Sequence, residues 1–133
     1  MFGALRILTA AAALLAGPAL ADGRLQAYIS GGIGEDERAV LEASKDYYNL
    51  RLVFAARGSG EYLSAVRVRI ADEKGAELLE ADTDGPFFYA RLAPGAYVVT
   101  AAYGDEAQTR RVRIGEKGAV EYVLYWVEPP DWR

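Results

Sequence analysis

Hydrophobic and polar residues alternate with a period of two over most of the chain beyond Leu50. In the clearest run, arginines separate Val66, Val68 and Ile70, which is typical of a strand with one buried face. Turn sequences rich in glycine, proline and aspartate separate such runs about every 8–12 residues, the spacing of a two-sheet sandwich. The pattern predicts a mainly β fold of seven or eight antiparallel strands in two sheets, at residues 25–30, 50–54, 66–70, 77–82, 87–92, 97–103, 109–114 and 120–126.

A helical period appears once, ahead of most of these strands. Acidic residues at 35–37 suit a first turn, because the helix dipole favours negative charge there. The spacing predicts one N-terminal amphipathic helix over residues 35–47, with its apolar face packed on a sheet. The residues that share this predicted face are Ile33, Val40, Leu41, Ser44 and Tyr48.

The first residues have the layout of a secretory signal peptide. Arg6 precedes an apolar run, and Ala19-Leu20-Ala21 supplies the small residues that a signal peptidase reads. The apolar run is about 14 residues long, whereas a membrane-spanning helix needs about 20. We therefore expect removal of residues 1–21, a periplasmic or secreted protein without stable membrane insertion, and a single domain at 22–133 that ends in a short tail at 127–133.

The composition excludes several kinds of catalytic and metal-binding site, because the chain contains no cysteine and no histidine. Thiolate nucleophiles, Ser-His-Asp triads and zinc or copper sites built on those side chains are excluded. The segment Asp82-Thr83-Asp84-Gly85 is interpreted as a polar turn, because the further ligands of a calcium loop are missing. A formal net charge of −4 disfavours nucleic acid as a partner. We expect no enzyme activity, no metal and no cofactor; a hydrolase that uses carboxylates alone is kept as an alternative.

Three stretches together resemble a known module: Val66–Ile70, then Asp84-Gly85, then 92–99 with the sequence LAPGAYVV. They are similar to the carboxypeptidase regulatory-like module, a transthyretin-like (prealbumin-like) β-sandwich found in exported proteins of Gram-negative bacteria. The resemblance implies a prealbumin- or immunoglobulin-like sandwich and implies little about activity. Transthyretin-like hydrolases rely on histidines, which this chain lacks.

Aromatic residues supply the candidate binding site. We expect most of them in the core, among them Phe87, Tyr89, Tyr97, Tyr103 and Tyr122. Four others are candidates for an exposed surface that stacks on sugars or anchors a protein: Phe88, Tyr125, Trp126 and Trp132.

These residues lead to two hypotheses about function. The first is a non-catalytic binding or structural module that recognises an envelope or extracellular protein through loops or an open sheet edge. The alternative is a carbohydrate-binding module that uses the exposed aromatic side chains. The pattern indicates neither the identity of the partner nor the oligomeric state.

Overall fold

The computed structural model describes residues 23–127. The predicted signal peptide and Trp132 lie outside these residues, so the structure does not test the predictions made for them. One α-helix, α1 (Glu35–Ser44), is followed directly by a 3-10 turn (Lys45–Tyr47). Eight strands make up most of the rest: β1 (Leu25–Gly31), β2 (Leu50–Ala56), β3 (Arg67–Asp72), β4 (Glu77–Asp82), β5 (Phe87–Leu92), β6 (Gly95–Tyr103), β7 (Glu106–Ile114) and β8 (Val120–Trp126).

The strands form two four-stranded sheets. Sheet A has the order β1-β5-β2-β8, and sheet B has the order β4-β3-β6-β7. The eight-stranded, two-sheet sandwich predicted from the alternation is therefore confirmed.

One strand pair departs from the predicted antiparallel arrangement. β2 and β8 run parallel, with Leu50 opposite Val120 at their first residues and Ala56 opposite Trp126 at their last. The chain leaves sheet A after β5, builds the β6–β7 hairpin of sheet B, and returns beside β2 in the same direction. Such a return is the long crossover that parallel strands require. Alternation along a strand is the same for both kinds of pair, so the sequence pattern did not distinguish them.

The core lies between the sheets and follows the predicted alternation. Val66, Val68 and Ile70 are fully buried, whereas Arg67 and Arg69 between them are exposed. From sheet A the inward residues include Leu50, Leu52, Phe54, Phe88, Ala90, Leu92, Leu124 and Trp126. Burial of this apolar area, at about 25 cal/mol per Å², is the main force holding the two sheets together.

A second, smaller apolar cluster lies on the outer face of sheet A, under the helix. It joins Leu41 of α1 to Ile29 of β1 and Tyr89 of β5. α1, which the structure describes throughout, buries Leu41 alone, and Ile33 and Val40 are 60% and 53% exposed. The prediction that Ile33 and Val40 share the packed face is wrong, because the helix touches the sheet only along the line through Leu41.

Glycines allow the β4–β5 turn to lie directly on the end of β1. A Cβ atom at Gly85 would overlap the backbone of Gly31, and one at Gly32 would overlap the ring of Phe87. Gly32 also has φ of +105°, a conformation that favours glycine. In the same turn, the buried Thr83 hydroxyl accepts a hydrogen bond from the Val66 N–H at 3.0 Å. The acidic turn at 82–85 is therefore packed against Gly31 at the end of β1 and hydrogen-bonded to Val66, just before β3.

Candidate binding surface on the outer face of sheet A

Two of the four predicted site residues lie in the core. Phe88 is fully buried and stacks on Tyr28 at 5.6 Å between ring centroids. Trp126 is also buried, packs against Phe54, and donates its indole N–H to the Glu106 carbonyl at 3.1 Å. The prediction that these two rings form an exposed surface is wrong. Their strands turn the even-numbered side chains inward, and parity alone did not show which face was the core.

The other two predicted residues have different outcomes. Tyr125 is 41% exposed on the outer face of sheet A, so its ring is accessible as predicted. The Arg57 guanidinium lies 5.7 Å from the centroid of that ring. Trp132 is outside the described residues. The binding role of either residue stays a prediction.

Among the residues that the structure describes, the large exposed hydrophobic side chains lie on one side of the sandwich. They occur in the β1–α1 loop, on α1 and its 3-10 turn, beside the end of β2, and along or just after β8. All these segments belong to sheet A or to the helix that covers it. The residues are Ile33, Val40, Tyr47, Tyr62, Val123, Tyr125 and Val127.

The outer face of sheet B has the opposite character. Arg67 donates from Nε and Nη2 to the two carboxylate oxygens of Asp82, at 3.0 and 3.1 Å. On the same strand, Arg69 Nε donates to Glu77 at 2.7 Å. These side chains are about half exposed, so each pair adds little stability, but they keep this face charged and also blunt the β4 edge.

An aromatic row crosses the outer face of sheet A. Successive ring centroids are 5.1, 6.0, 6.4 and 5.4 Å apart, which is the range of favourable aromatic contacts. An arginine lies over each terminal ring at 4.9 Å, Arg91 at one end and Arg38 at the other. α1 covers the middle of the row, whereas the two end rings are about half exposed. In order, the row consists of Tyr47, Tyr48, Tyr89, Phe87 and Tyr62.

The loop that leads into α1 is held by side chains of the helix. Glu37 Oε1 accepts hydrogen bonds from the N–H groups of Gly32 and Ile33, at 2.9 and 3.2 Å. Arg38 Nε donates to the Gly32 carbonyl at 2.9 Å, and the same guanidinium lies over Tyr62. The loop is thus fixed in a conformation that leaves the Ile33 side chain in solvent.

The register of sheet A extends the apolar surface beyond the helix. Phe87 pairs with Val53 of β2, and Val53 pairs in turn with Val123 of β8. The next outward position on β8 is Tyr125, opposite Ala55. A small hollow of about 120 Å³ lies between α1 and the aromatic row, lined by Arg38, Leu41, Glu42, Phe87 and Tyr89.

Burial changes the titration of the tyrosines in the middle of the row. It raises the pKa of the Tyr48 phenol above its ordinary value of 10.0, and the neighbouring Tyr47 adds to that rise. Burial is also the main cause of the raised pKa of Tyr89, to which Glu42 and Glu121 add. Both phenols are therefore neutral throughout the physiological range.

The groups on this surface are aromatic rings, aliphatic side chains, guanidinium groups and, on α1, exposed carboxylates. No group of three or more histidine, cysteine, aspartate or glutamate side chains within residues 23–127 is arranged to hold a metal ion. In the same residues, no helix is both long enough and apolar enough to cross a bilayer.

Tyr47 and Tyr62 were not among the residues predicted to form this surface. Tyr47 follows the helix and Tyr62 follows a glycine-rich loop, so strand parity does not apply to either. The available signal was their position outside the strands, because loop residues carry binding functions more often than strand residues do.

Comparison of the chain with protein-family models and with curated proteins found no match. The resemblance to the carboxypeptidase regulatory-like module therefore stays a prediction from the three sequence stretches that carry it.

Proposed function

We propose that the protein is a non-catalytic binding module for a protein partner in the cell envelope or outside the cell, and that the partner binds the outer face of sheet A. The observation that carries the proposal is the segregation of the surface. The large exposed hydrophobic residues of the described chain lie on the sheet A side, whereas the β3–β4 half of sheet B carries paired charges. Apolar area concentrated on one face of a small domain is characteristic of an interaction surface.

The charge beside this surface indicates the chemistry of the partner. Glu35, Asp36 and Glu42 are exposed on α1, and Glu42 also lines the hollow between the helix and the aromatic row. A partner that places apolar side chains on the row would place basic side chains against these acids, because opposite charges at the rim orient an encounter and speed it. The expected partner surface is therefore apolar, with basic side chains opposite the acids of α1 and acidic side chains opposite Arg38, Arg57 and Arg91.

The rigidity of the surface supports binding. Glu37 and Arg38 fix the loop that exposes Ile33, and arginines hold both end rings of the row. Side chains that are already ordered lose less entropy when a partner binds, which leaves more of the contact free energy as affinity.

Site-specific cross-linking tests the proposal. The photo-reactive residue p-benzoylphenylalanine is placed at Tyr62 or Tyr125, and at Thr109 on the outer face of sheet B as the matched control. We expect one protein to be captured from the two sheet A positions and not from Thr109. The purified partner should then bind at least about tenfold more weakly to Val40→Glu and to Val123→Glu, which place a charge in the contact.

The control substitution Thr109→Glu adds the same charge to an exposed strand position and should leave the affinity unchanged. Equal capture from Thr109, or full affinity in both valine variants, would show that sheet A is not the binding face. Capture of a glycan in place of a protein would support the carbohydrate alternative.

A further inference from the structure

A polar cleft lies at the Tyr47 end of the same face, where it adjoins the aromatic row and shares Tyr48 and Arg91 with it. It has a volume of about 480 Å³, which falls in the range of small-molecule sites. The 3-10 turn and the first residues of β2 form one wall, and the β7–β8 loop forms the other. The lining residues that carry charge or an aromatic ring are Asp46, Tyr48, Arg51, Arg91, Glu116 and Lys117.

Arg51 is a largely enclosed cation of this cleft. Its side chain is 15% exposed, and its Nε donates to the Tyr48 carbonyl at 3.3 Å. Its Nη2 and Nη1 lie 3.7 Å from Asp46 and 4.0 Å from Glu121. Both distances exceed a hydrogen bond, so the two terminal nitrogens retain donors for a further acceptor.

Two more cations line the cleft. Arg91 is held in place by the Gln26 side chain at 3.1 Å, by the Tyr47 carbonyl at 2.8 Å, and by stacking over the Tyr47 ring. Lys117 forms no ion pair with any residue between 23 and 127, and it lies on the exposed β7–β8 loop. The cleft therefore presents one largely enclosed cation, one held by several contacts and one exposed on a loop.

Acceptors and an aromatic ring accompany these cations. The Asp46 carboxylate is fully exposed to solvent, Glu116 is exposed on the opposite wall, and the half-buried Tyr48 also lines the cleft. A ligand with only negative charge, such as a polyphosphate, would meet both carboxylates. A neutral ligand would leave the terminal nitrogens of Arg51 with only the long contacts to Asp46 and Glu121.

We infer that the cleft binds an acidic sugar, meaning a saccharide whose ring carries a carboxylate. The sugar carboxylate accepts from Arg51 and Lys117, where charge-assisted hydrogen bonds are strongest. The ring hydroxyls donate to Asp46 and Glu116, and the apolar face of the ring packs on Tyr48. This inference does not depend on the protein partner proposed above.

Titration with a galacturonic acid trisaccharide tests the inference, with amide chemical shifts and calorimetry as readouts. We expect shifts at residues 46–51 and 116–119, and binding at least about tenfold tighter than that of the neutral galactose trisaccharide, because a charge-assisted hydrogen bond contributes about that factor. A triglutamate peptide of similar charge should bind no better than the neutral sugar. Equal binding of all three probes, or no shifts in these segments, would overturn the inference.

Two substitutions localise the binding. Lys117→Gln changes an exposed loop side chain and should weaken trisaccharide binding severalfold without changing the thermal midpoint. Arg51→Gln should weaken it at least about tenfold, with the thermal midpoint measured alongside because this side chain is packed. The matched control is Lys74→Gln, in the β3–β4 turn outside the cleft, which should bind as the unsubstituted chain does. Full affinity in Lys117→Gln and Arg51→Gln would place the sugar elsewhere and contradict the inference.

Discussion

Asn49 shows how one side chain connects the two central strands of sheet A. Its amide N–H donates to the Leu92 carbonyl at 2.8 Å, and its amide oxygen accepts from the Leu92 N–H at 2.9 Å. Its backbone carbonyl also accepts from the Val120 N–H at the start of β8. Asn49 thus supplies the hydrogen-bond partners of the Leu92 backbone at the end of β5. It also makes a backbone hydrogen bond to Val120, where the parallel β2–β8 pair starts.

We predict that Asn49→Ala lowers the free energy of unfolding by about 2 kcal/mol, because two backbone groups of Leu92 lose their partner in a partly buried position. Urea unfolding followed by circular dichroism measures the change. The control Gln26→Ala removes an exposed side chain that bonds Arg91 and should cost less than about 0.5 kcal/mol. Equal midpoints for the two variants would show that the Asn49 bonds contribute nothing beyond surface contacts.

Asp72 makes the stability of the fold depend on acidity. Its Oδ1 accepts from the N–H groups of Ala76 and Lys74, both at 2.9 Å, and its Oδ2 pairs with Arg24 at 3.0 Å. The bond from Ala76, followed by that from Lys74 and the charge of Arg24, lowers the pKa of this carboxyl below its ordinary value of 3.8. The folded protein therefore favours the ionised form.

We predict that this stabilisation is present above pH 3.8 and is lost as the pH falls below that value, because the unfolded state then takes up the proton first. The thermal midpoint should fall from about pH 5 to pH 2.5, and Asp72→Asn should have a flatter profile over that interval. Asp105→Asn, in the exposed β6–β7 turn, is the control and should keep the slope of the unsubstituted chain. A slope that is unchanged in Asp72→Asn would exclude this carboxyl as a cause.

At the scale of the element, β5 differs from the other strands because both of its faces are covered. Phe88 and Ala90 point into the core, while Phe87 and Tyr89 point outward and contact α1 or its neighbours. A strand covered on both faces has apolar residues at consecutive positions, as FFYA does here. Alternation therefore carries no information about its inward face, which is why the parity prediction reversed Phe87 and Phe88.

We predict that Phe88→Ala lowers the free energy of unfolding by about 3–5 kcal/mol, because it leaves a cavity in the core and removes the stack on Tyr28. Tyr125→Ala, at an exposed position of β8, should cost less than about 1 kcal/mol. Urea denaturation of both variants measures the difference. A larger loss in Tyr125→Ala than in Phe88→Ala would contradict the observed direction of the two side chains.

At the scale of the molecule, sheet A joins distant parts of the chain. β1 pairs with β5, and β2 pairs with β8, so Leu50 lies beside Val120. Each of these pairs closes a long loop, whose entropy must be lost before the contacts form. Sheet B, by contrast, contains the β3–β4 and β6–β7 hairpins, which form from neighbouring segments.

We predict that refolding is a slow process on the time scale of milliseconds to seconds, as expected for a sandwich with distant strand pairs. Stopped-flow fluorescence of the buried Trp126, measured in a Trp132→Phe background, reports the completion of the β2–β8 pair. Leu124→Ala, in the same strand, should speed unfolding more than it slows refolding if β8 joins late. Refolding within microseconds would contradict the control of the rate by these distant pairs.

The sequence by itself determined the strands, the two-sheet architecture and the location of the helix. In each strand, alternate side chains must reach the apolar interior. This requirement produces an alternation between neighbouring residues, which can be read directly from the sequence. The absence of cysteine and histidine likewise excluded whole classes of site without any knowledge of the fold.

Tertiary structure alone decided which residues form the candidate surface. Ring contacts join Tyr47, Tyr89 and Tyr62 into one row although they are far apart in sequence, and β5 turns Phe88 away from that row. The parallel placement of β8 beside β2 sets Val123 and Tyr125 at its border. These are consequences of strand order and packing, in which distant residues become neighbours. The sequence pattern therefore predicted the exposure of Tyr125 but not the row of rings beside it.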